Sequence, residues 1–363
     1  MQVIDVDTHA VEPASVWDYL AKADEAHKPS ILNKAAGAPI AASFANTTST
    51  QYWVINNKIY GMHNPPGVAG ASKGEITAGS ITLDDIDARL AHMDAQRVDI
   101  HVVFSSLFLG LRIADKDAEL ALTRAYNRWL MERCKAAGGR LRWIMVPSLK
   151  NPEDTLKEMK WARRNGAVGV LFRGIEGFRY LDHSYFDPIY REAADLDLAI
   201  CVHIGNGCPA FEEIKPRDSM SFNRFVADMP NYFAFSSLIR SDFPERFPNL
   251  RFGFFEAGCG WIPAVTEVSL HLRETPDGLK EIARDRIQRH NFYVTCELHE
   301  DLNYIAQFTG SDNLVIGSDY GHPHDVADTI QYRDVLDARD DLDSAFTSKL
   351  VVDNPHHLFN MQT

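Results

Sequence analysis

Short runs of β-branched and aromatic residues recur along the chain, each followed by a longer stretch whose apolar residues fall at helical spacing. This alternation predicts parallel βαβ units. Eight runs stand out: Val3 to Val6, Asp99 to Phe104, Leu141 to Val146, Val168 to Phe172, Ala199 to Val202, Arg251 to Phe255, Phe292 to Cys296 and Leu314 to Gly317. Eight strand–helix units predict an α/β fold, the (β/α)8 or TIM barrel. Thr82 and Asp85 have capping-box spacing, and Leu83, Ile86, Leu90 and Met93 then share one face, which predicts a helix there. Between the first run and this helix lies an insertion of roughly residues 27 to 80. Within it, Tyr52-Trp53-Val54-Ile55 and Lys58-Ile59-Tyr60 flank Asn56-Asn57, the pattern of a hairpin turning at two asparagines. Over the barrel mouth such a hairpin would act as a lid. Segments of about 205 to 233 and 273 to 291 also follow strand ends and would line a site.

Parallel strands buried on both faces are almost wholly apolar, so polar residues at their ends are the informative ones. The first run leads into Asp5, Asp7 and His9, the fourth into Arg173, the fifth into His203, the sixth into Glu256, the seventh into Glu297 and the eighth into Asp319. In a closed barrel these ends meet at one face, where barrel enzymes carry their chemistry.

Asp7 and His9 alternate on an extended chain and so reach a common point. His203 ends an apolar run and is followed by Gly205-Asn206-Gly207, and Ser318-Asp319-Tyr320-Gly321-His322-Pro323-His324 follows another. Each motif alone also has a plain structural reading: a turn or cap residue, or a core histidine satisfied by its neighbours. Together they place carboxylates and imidazoles at the ends of strands one, five and eight. Burying that much polarity without a ligand costs several kcal/mol, and a bound metal accounts for all three at once. The aromatics Trp53, Tyr60, Phe108 and Phe222 either line the site or pack ordinarily.

Composition narrows the function classes. A length of 363 residues suits one barrel domain, 1 to 363, carrying the insertion. The net charge of -13 argues against a nucleic-acid or anionic-membrane surface, which needs clustered Lys and Arg. Five cysteines, Cys134, Cys201, Cys208, Cys259 and Cys296, form no paired framework and no CxxC spacing, which suits a reducing compartment. With no charged-then-apolar leader and no long apolar run, the expectation is a soluble cytoplasmic protein. A small-molecule substrate is expected, and a homo-oligomer is the common default for such barrels.

On these motifs the chain resembles the amidohydrolase superfamily, specifically the amidohydrolase-related branch that includes 2-amino-3-carboxymuconate-6-semialdehyde decarboxylase and dihydroxybenzoate decarboxylases. The resemblance spans nearly the whole chain and implies a metal held by Asp7, His9, His203 and Asp319. Arg173 stands where many superfamily hydrolases carry the carboxylated lysine that bridges two metals. Decarboxylases of the branch show a histidine at the end of strand six, where this chain has Glu256. A carboxylate supplies no cationic proton donor near neutrality unless burial raises its pKa.

Two chemistries follow. In the first, one Zn2+ or Mn2+ on that ligand set polarises a water or substrate oxygen for hydrolysis or decarboxylation of a small organic acid or amide. There Glu256 or His322 moves protons, and Arg173 either clamps a substrate carboxylate or forms a structural ion pair. In the second, Asp5, Glu256 and His322 hold a second metal, giving a dinuclear iron or manganese centre suited to oxygenation. Glu256 also has a structural alternative, an ion pair with Arg173 or another base.

Overall fold

The computed structural model describes residues 2–33, 51–62, 76–211, 220–270, 283–322 and 333–361, with the backbone alone at 220–225, 270 and 283. The strands, in chain order, are β1 (Ile4–Ala10), β2 (Ser30–Asn33), β3 (Gln51–Ile55), β4 (Lys58–Gly61), β5 (Ile100–Ser105), β6 (Leu141–Met145) and β7 (Ala167–Arg173). They continue with β8 (Ile175–Glu176), β9 (Arg179–Tyr180), β10 (Ala199–His203), β11 (Phe252–Phe255), β12 (Phe292–Cys296) and β13 (Leu314–Ile316). Eight of these, in the order β1-β5-β6-β7-β10-β11-β12-β13, form one parallel sheet wrapped by helices. They are the eight runs read from the sequence, and the fold is the (β/α)8 barrel. The strands are buried along almost their whole length, as expected where helices cover the outer face and side chains fill the interior.

Closure is light. β13 joins β1 through a single bridge, Thr8 to Tyr320, with the amides of His9 and Asp319 donating to the carbonyls of Tyr320 (2.7 Å) and Asp7 (2.9 Å). Gly317 permits this approach, since a Cβ there would stand 2.3 Å from the Asp7 Cβ. β1 also carries an irregularity: its register against β5 shifts between Asp5 and Thr8.

The hairpin forms as read. β3 and β4 pair antiparallel around Asn56 and Asn57, both left-handed at φ 49° and 61°, and β2 adds a third strand. It is not a free lid. Trp53 and Ile55 are buried in the main core, Trp53 meets the Trp17 ring edge-on at 5.8 Å, and the Tyr60 hydroxyl donates to the Arg112 carbonyl at 2.8 Å. The capping expectation also changes. Asp85 itself caps the helix Ile86–Ala95 by accepting from the Ala88 amide, and the capping box belongs to the preceding short helix, between Thr77 and Ser80. Leu83, at φ 57°, separates the two. No helix among the described residues is long and apolar enough to cross a membrane.

Candidate metal centre

Four strand ends converge at the C-terminal mouth of the barrel. Asp7 and His9 come from β1, His203 from the last position of β10, Glu256 from the residue after β11, and Asp319 and His322 from the turn after β13. Asp7, His9, His203 and Glu256 each bring one ligand atom within 4.8 Å of the others, and so do His9, Glu256, Asp319 and His322. The two groups share His9 and Glu256. Of the quartet implied by the resemblance, Asp7, His9 and His203 fall in the first group and Asp319 joins His9 in the second.

The distances describe ligands aimed at common points. His9 Nε2 lies 3.1 Å from Asp319 Oδ1, 3.5 Å from Asp7 Oδ1 and 3.8 Å from Glu256 Oε2. Neither ring nitrogen of this fully buried residue makes a hydrogen bond, so the carboxylates surround it without the angles of donor and acceptor. A cation between them would satisfy what protein hydrogen bonds leave open. His203 Nε2 stands 3.3 Å from Asp7 and 3.4 Å from Glu256. Its Nδ1–H donates to the Ile204 carbonyl at 3.0 Å, which fixes the ring and turns Nε2, hydrogen-bonded to Asp7 Oδ1 at 3.3 Å, toward the cluster, the orientation of a ligating histidine. The His322 ring stacks on His9 at 3.8 Å, with Nδ1 2.9 Å from Asp319 and Nε2 hydrogen-bonded to Ser106 Oγ at 2.9 Å. Glu256 and Asp319 both have left-handed backbones, at φ 61° and 52°, a strain that non-glycine residues keep chiefly at functional positions.

Opposite charges hold the cluster together in the absence of a cation. Burial alone would lower the basicity of His9, but Asp319 and Asp7 outweigh it and raise its pKa to about 10. Burial would likewise raise Asp7, but His203, with His9, brings it down to about 2. The cluster opens into a pocket of about 180 Å3 lined by Tyr60, Leu107, Leu109 and Ile204, with Glu256 and His322 at its polar end.

A protein-family model described as Amidohydrolase matches residues 4–361. The chain belongs to the amidohydrolase family. Among solved structures, an amidohydrolase from Mycobacterium avium subsp. paratuberculosis has a TM-score of 0.76 at 20% identity, with 99% of each chain covered. The 5-carboxyvanillate decarboxylase of Novosphingobium aromaticivorans, complexed with manganese and 4-hydroxy-3-methoxy-5-nitrobenzoic acid, has a TM-score of 0.65 at 19% identity, covering 99% of this chain and 96% of its own. For 2,6-dihydroxybenzoate decarboxylase from Rhizobium the values are 0.63 and 15%, with 99% of each covered. At such identities the likeness is one of fold. No curated protein matches the chain.

Other expected residues of this amidohydrolase-family chain lie elsewhere. Asp5 belongs to neither ligand group, because the irregularity in β1 breaks the alternation that would have aligned it with Asp7. Instead it accepts from the Ser318 amide (3.0 Å) and hydroxyl (2.5 Å), and burial pushes its pKa up to about 7. Arg173 grips Glu176 with two nitrogens, at 2.7 and 3.0 Å, and donates to the carbonyls of Phe108 and Leu111. Of its two readings, this is the ion pair, made with Glu176 and not with Glu256. Glu297 lies outside both ligand groups. His324 and the side chain of Phe222 lie outside the described residues.

Three residues escaped the sequence reading. Ser106 meets His322. Arg89, fully buried, donates to the His9 carbonyl and to His101 Nδ1 and packs its guanidinium 3.6 Å from the centre of the Tyr320 ring. Tyr320, next to Asp319, is therefore held from behind. Nothing in the spacing signalled these contacts; a basic residue on the apolar face of the helix Ile86–Ala95 was the one available hint.

Proposed function

We propose that this chain is a divalent-metal-dependent hydrolase or decarboxylase acting on a small organic acid or amide. The observation that carries the reading is the donor set: three carboxylates and three imidazoles converging at the inner end of a small pocket. Asp7, His9, His203 and Glu256 would hold the ion, with Asp319 and His322 beside it. Carboxylate and imidazole donors together suit Zn2+ or Mn2+. When bound, such an ion supplies Lewis-acid polarisation of a substrate oxygen.

The protein's own part is orientation and proton movement. The Ile204 carbonyl fixes the His203 tautomer. Asp319 and Ser106 hold the two nitrogens of His322 at the pocket wall, where the ring can pass a proton to or from a substrate atom. Leu107, Leu109 and Ile204 give that volume an apolar wall, which would strengthen charge interactions inside it. No Lys or Arg among the described residues lines this pocket, so a substrate carboxylate would be balanced by the metal and His322.

The test is metal analysis of protein purified without added metal, followed by assays on N-acyl amides and aromatic hydroxy acids before and after chelation. Chelation-sensitive release of amine or CO2, restored by Zn2+ or Mn2+, supports the proposal; turnover that survives full metal removal refutes it.

The sharing of His9 and Glu256 by the two groups favours a second reading, in which these residues would hold two ions. A carboxylate-rich centre of that kind suits iron and oxygen activation. Two irons per chain with substrate-dependent oxygen uptake would establish it, and one zinc per chain would exclude it.

A further inference from the structure

A second cleft, of about 270 Å3, lies beside the metal pocket, between the helix Lys116–Ala136 and the chain that follows β6 and β7. The short helix Leu107–Gly110 separates the two: Leu107 and Leu109 face the metal pocket, whereas Phe108, with Leu111 and Arg112 just beyond, faces the cleft. Its charge is unusual for a chain of net charge -13. Among the described residues, five cationic side chains, Lys58, Arg112, Lys150, Arg173 and Arg179, line it against two carboxylates, Glu119 and Glu176. Both carboxylates are already committed, Glu119 to Lys150 at 2.9 Å and Glu176 to Arg173 at 2.7 Å. Arg112 donates to the Asn206 carbonyl at 3.2 Å. Lys58 and Arg179 have no ion-pair partner among the described residues. Lys58 follows the hairpin turn and Arg179, at the start of β9, lies 4.4 Å from the centre of the Tyr185 ring, so two separate hairpins bring charge to one opening.

The floor is different in kind. Leu149, Leu171 and Phe186 join Phe108 to form an apolar base beneath the cationic rim. A bare inorganic anion would gain nothing from that base, and a neutral apolar molecule would gain nothing from the rim. The volume lies just under the range of about 300–1,000 Å3 typical of drug-sized ligands.

We propose that this cleft binds a small amphipathic carboxylate, its apolar body on Phe108, Leu149 and Phe186 and its carboxylate between Lys58 and Arg179, at a site separate from the metal centre. Arginine and lysine both recognise carboxylates through charge-assisted hydrogen bonds. The site does not depend on which reaction the metal pocket performs.

The test is calorimetric titration of benzoate and of inorganic phosphate into the full chain. Three proteins are compared: the unaltered chain, the double variant Lys58→Glu with Arg179→Glu, and Glu256→Gln. Benzoate should bind saturably to the unaltered chain and to Glu256→Gln alike, and the double charge reversal should weaken it by about tenfold or more. Phosphate should bind more weakly than benzoate. Lys58 and Arg179 are exposed, so the melting temperature should stay the same; if it shifts, Lys58→Gln and Arg179→Gln singly carry the same comparison. Equal benzoate affinity with and without the charge reversal overturns the proposal, as does loss of binding in Glu256→Gln alone. Phosphate binding as tight as benzoate overturns the amphipathic assignment.

Discussion

Glu256 adopts a left-handed backbone to bring its carboxylate among three imidazoles, 3.4 to 4.0 Å away. A neutral amide is a far weaker ligand for a hard cation than a carboxylate. Glu256→Gln should therefore lower the metal content per chain, with turnover falling alongside. If metal content holds while turnover drops by about 10²- to 10⁴-fold, the residue transfers protons instead, and no change in either returns it to a structural role. Arg173 calls for a different experiment. Arg173→Met would leave Glu176 buried without its counter-charge, at a cost of about 3–5 kcal/mol. Denaturant melts should show that loss; a raised KM at unchanged stability would restore the substrate clamp. That Asp7, His9, His203 and Asp319 reach the same end of the barrel was legible from sequence, because each is polar at the end of an apolar run. Asp5 and Arg173 had the same signature but lie outside both groups, since neither a strand irregularity nor a partner three residues away shows in that pattern.

The three-stranded unit β2-β3-β4 was legible as a turn and illegible as a packing element. Asn56-Asn57 announces left-handed geometry, but nothing local says which hairpin face meets the core. Trp53, 2% exposed, lies against Trp17 in the main core. Trp53→Ala should cost about 3–5 kcal/mol by the usual scale for a buried aromatic. Removing residues 51–61 should thus destabilise the barrel as well as reshape the pocket at Tyr60, contrary to the behaviour of a detachable lid. A truncated protein that melts at the same temperature, with only substrate affinity impaired, would reinstate the lid.

At the scale of the whole molecule, charge at the centre links stability to pH. In metal-free protein His9 is raised from 6.5 to about 10, so its contribution is complete below pH 6.5 and lost as pH rises through 10. Asp7, lowered from 3.8 to about 2, contributes above pH 3.8 and fails as pH falls through 2. Asp5 and Glu12, raised by burial from 3.8 and 4.5 to about 7, subtract stability as pH climbs over that interval. The melting temperature of metal-free protein should decline steadily from pH 6.5 to 10. A divalent cation held at this centre would replace the proton on His9 and should flatten that decline. A metal-free melting temperature that rises over this range would contradict the assignment. The barrel itself was legible almost strand by strand, because continuous apolar runs are what parallel strands covered on both faces require. What the runs could not show is how the ring closes.

That closure sets a rhythm of opening. Seven strand junctions are held by extended ladders, but β13 meets β1 through one bridge and two amide bonds, those of His9 and Asp319. Both amides belong to residues of the ligand groups. A cation there would act as a clasp across the weakest junction of the ring, so its departure should be felt first as local breathing at this one joint. In hydrogen–deuterium exchange, the His9 and Asp319 amides should exchange faster after chelation while those of β7 and β10 keep their protection. The joint beside the proposed metal site would then also be the place where the barrel begins to come apart.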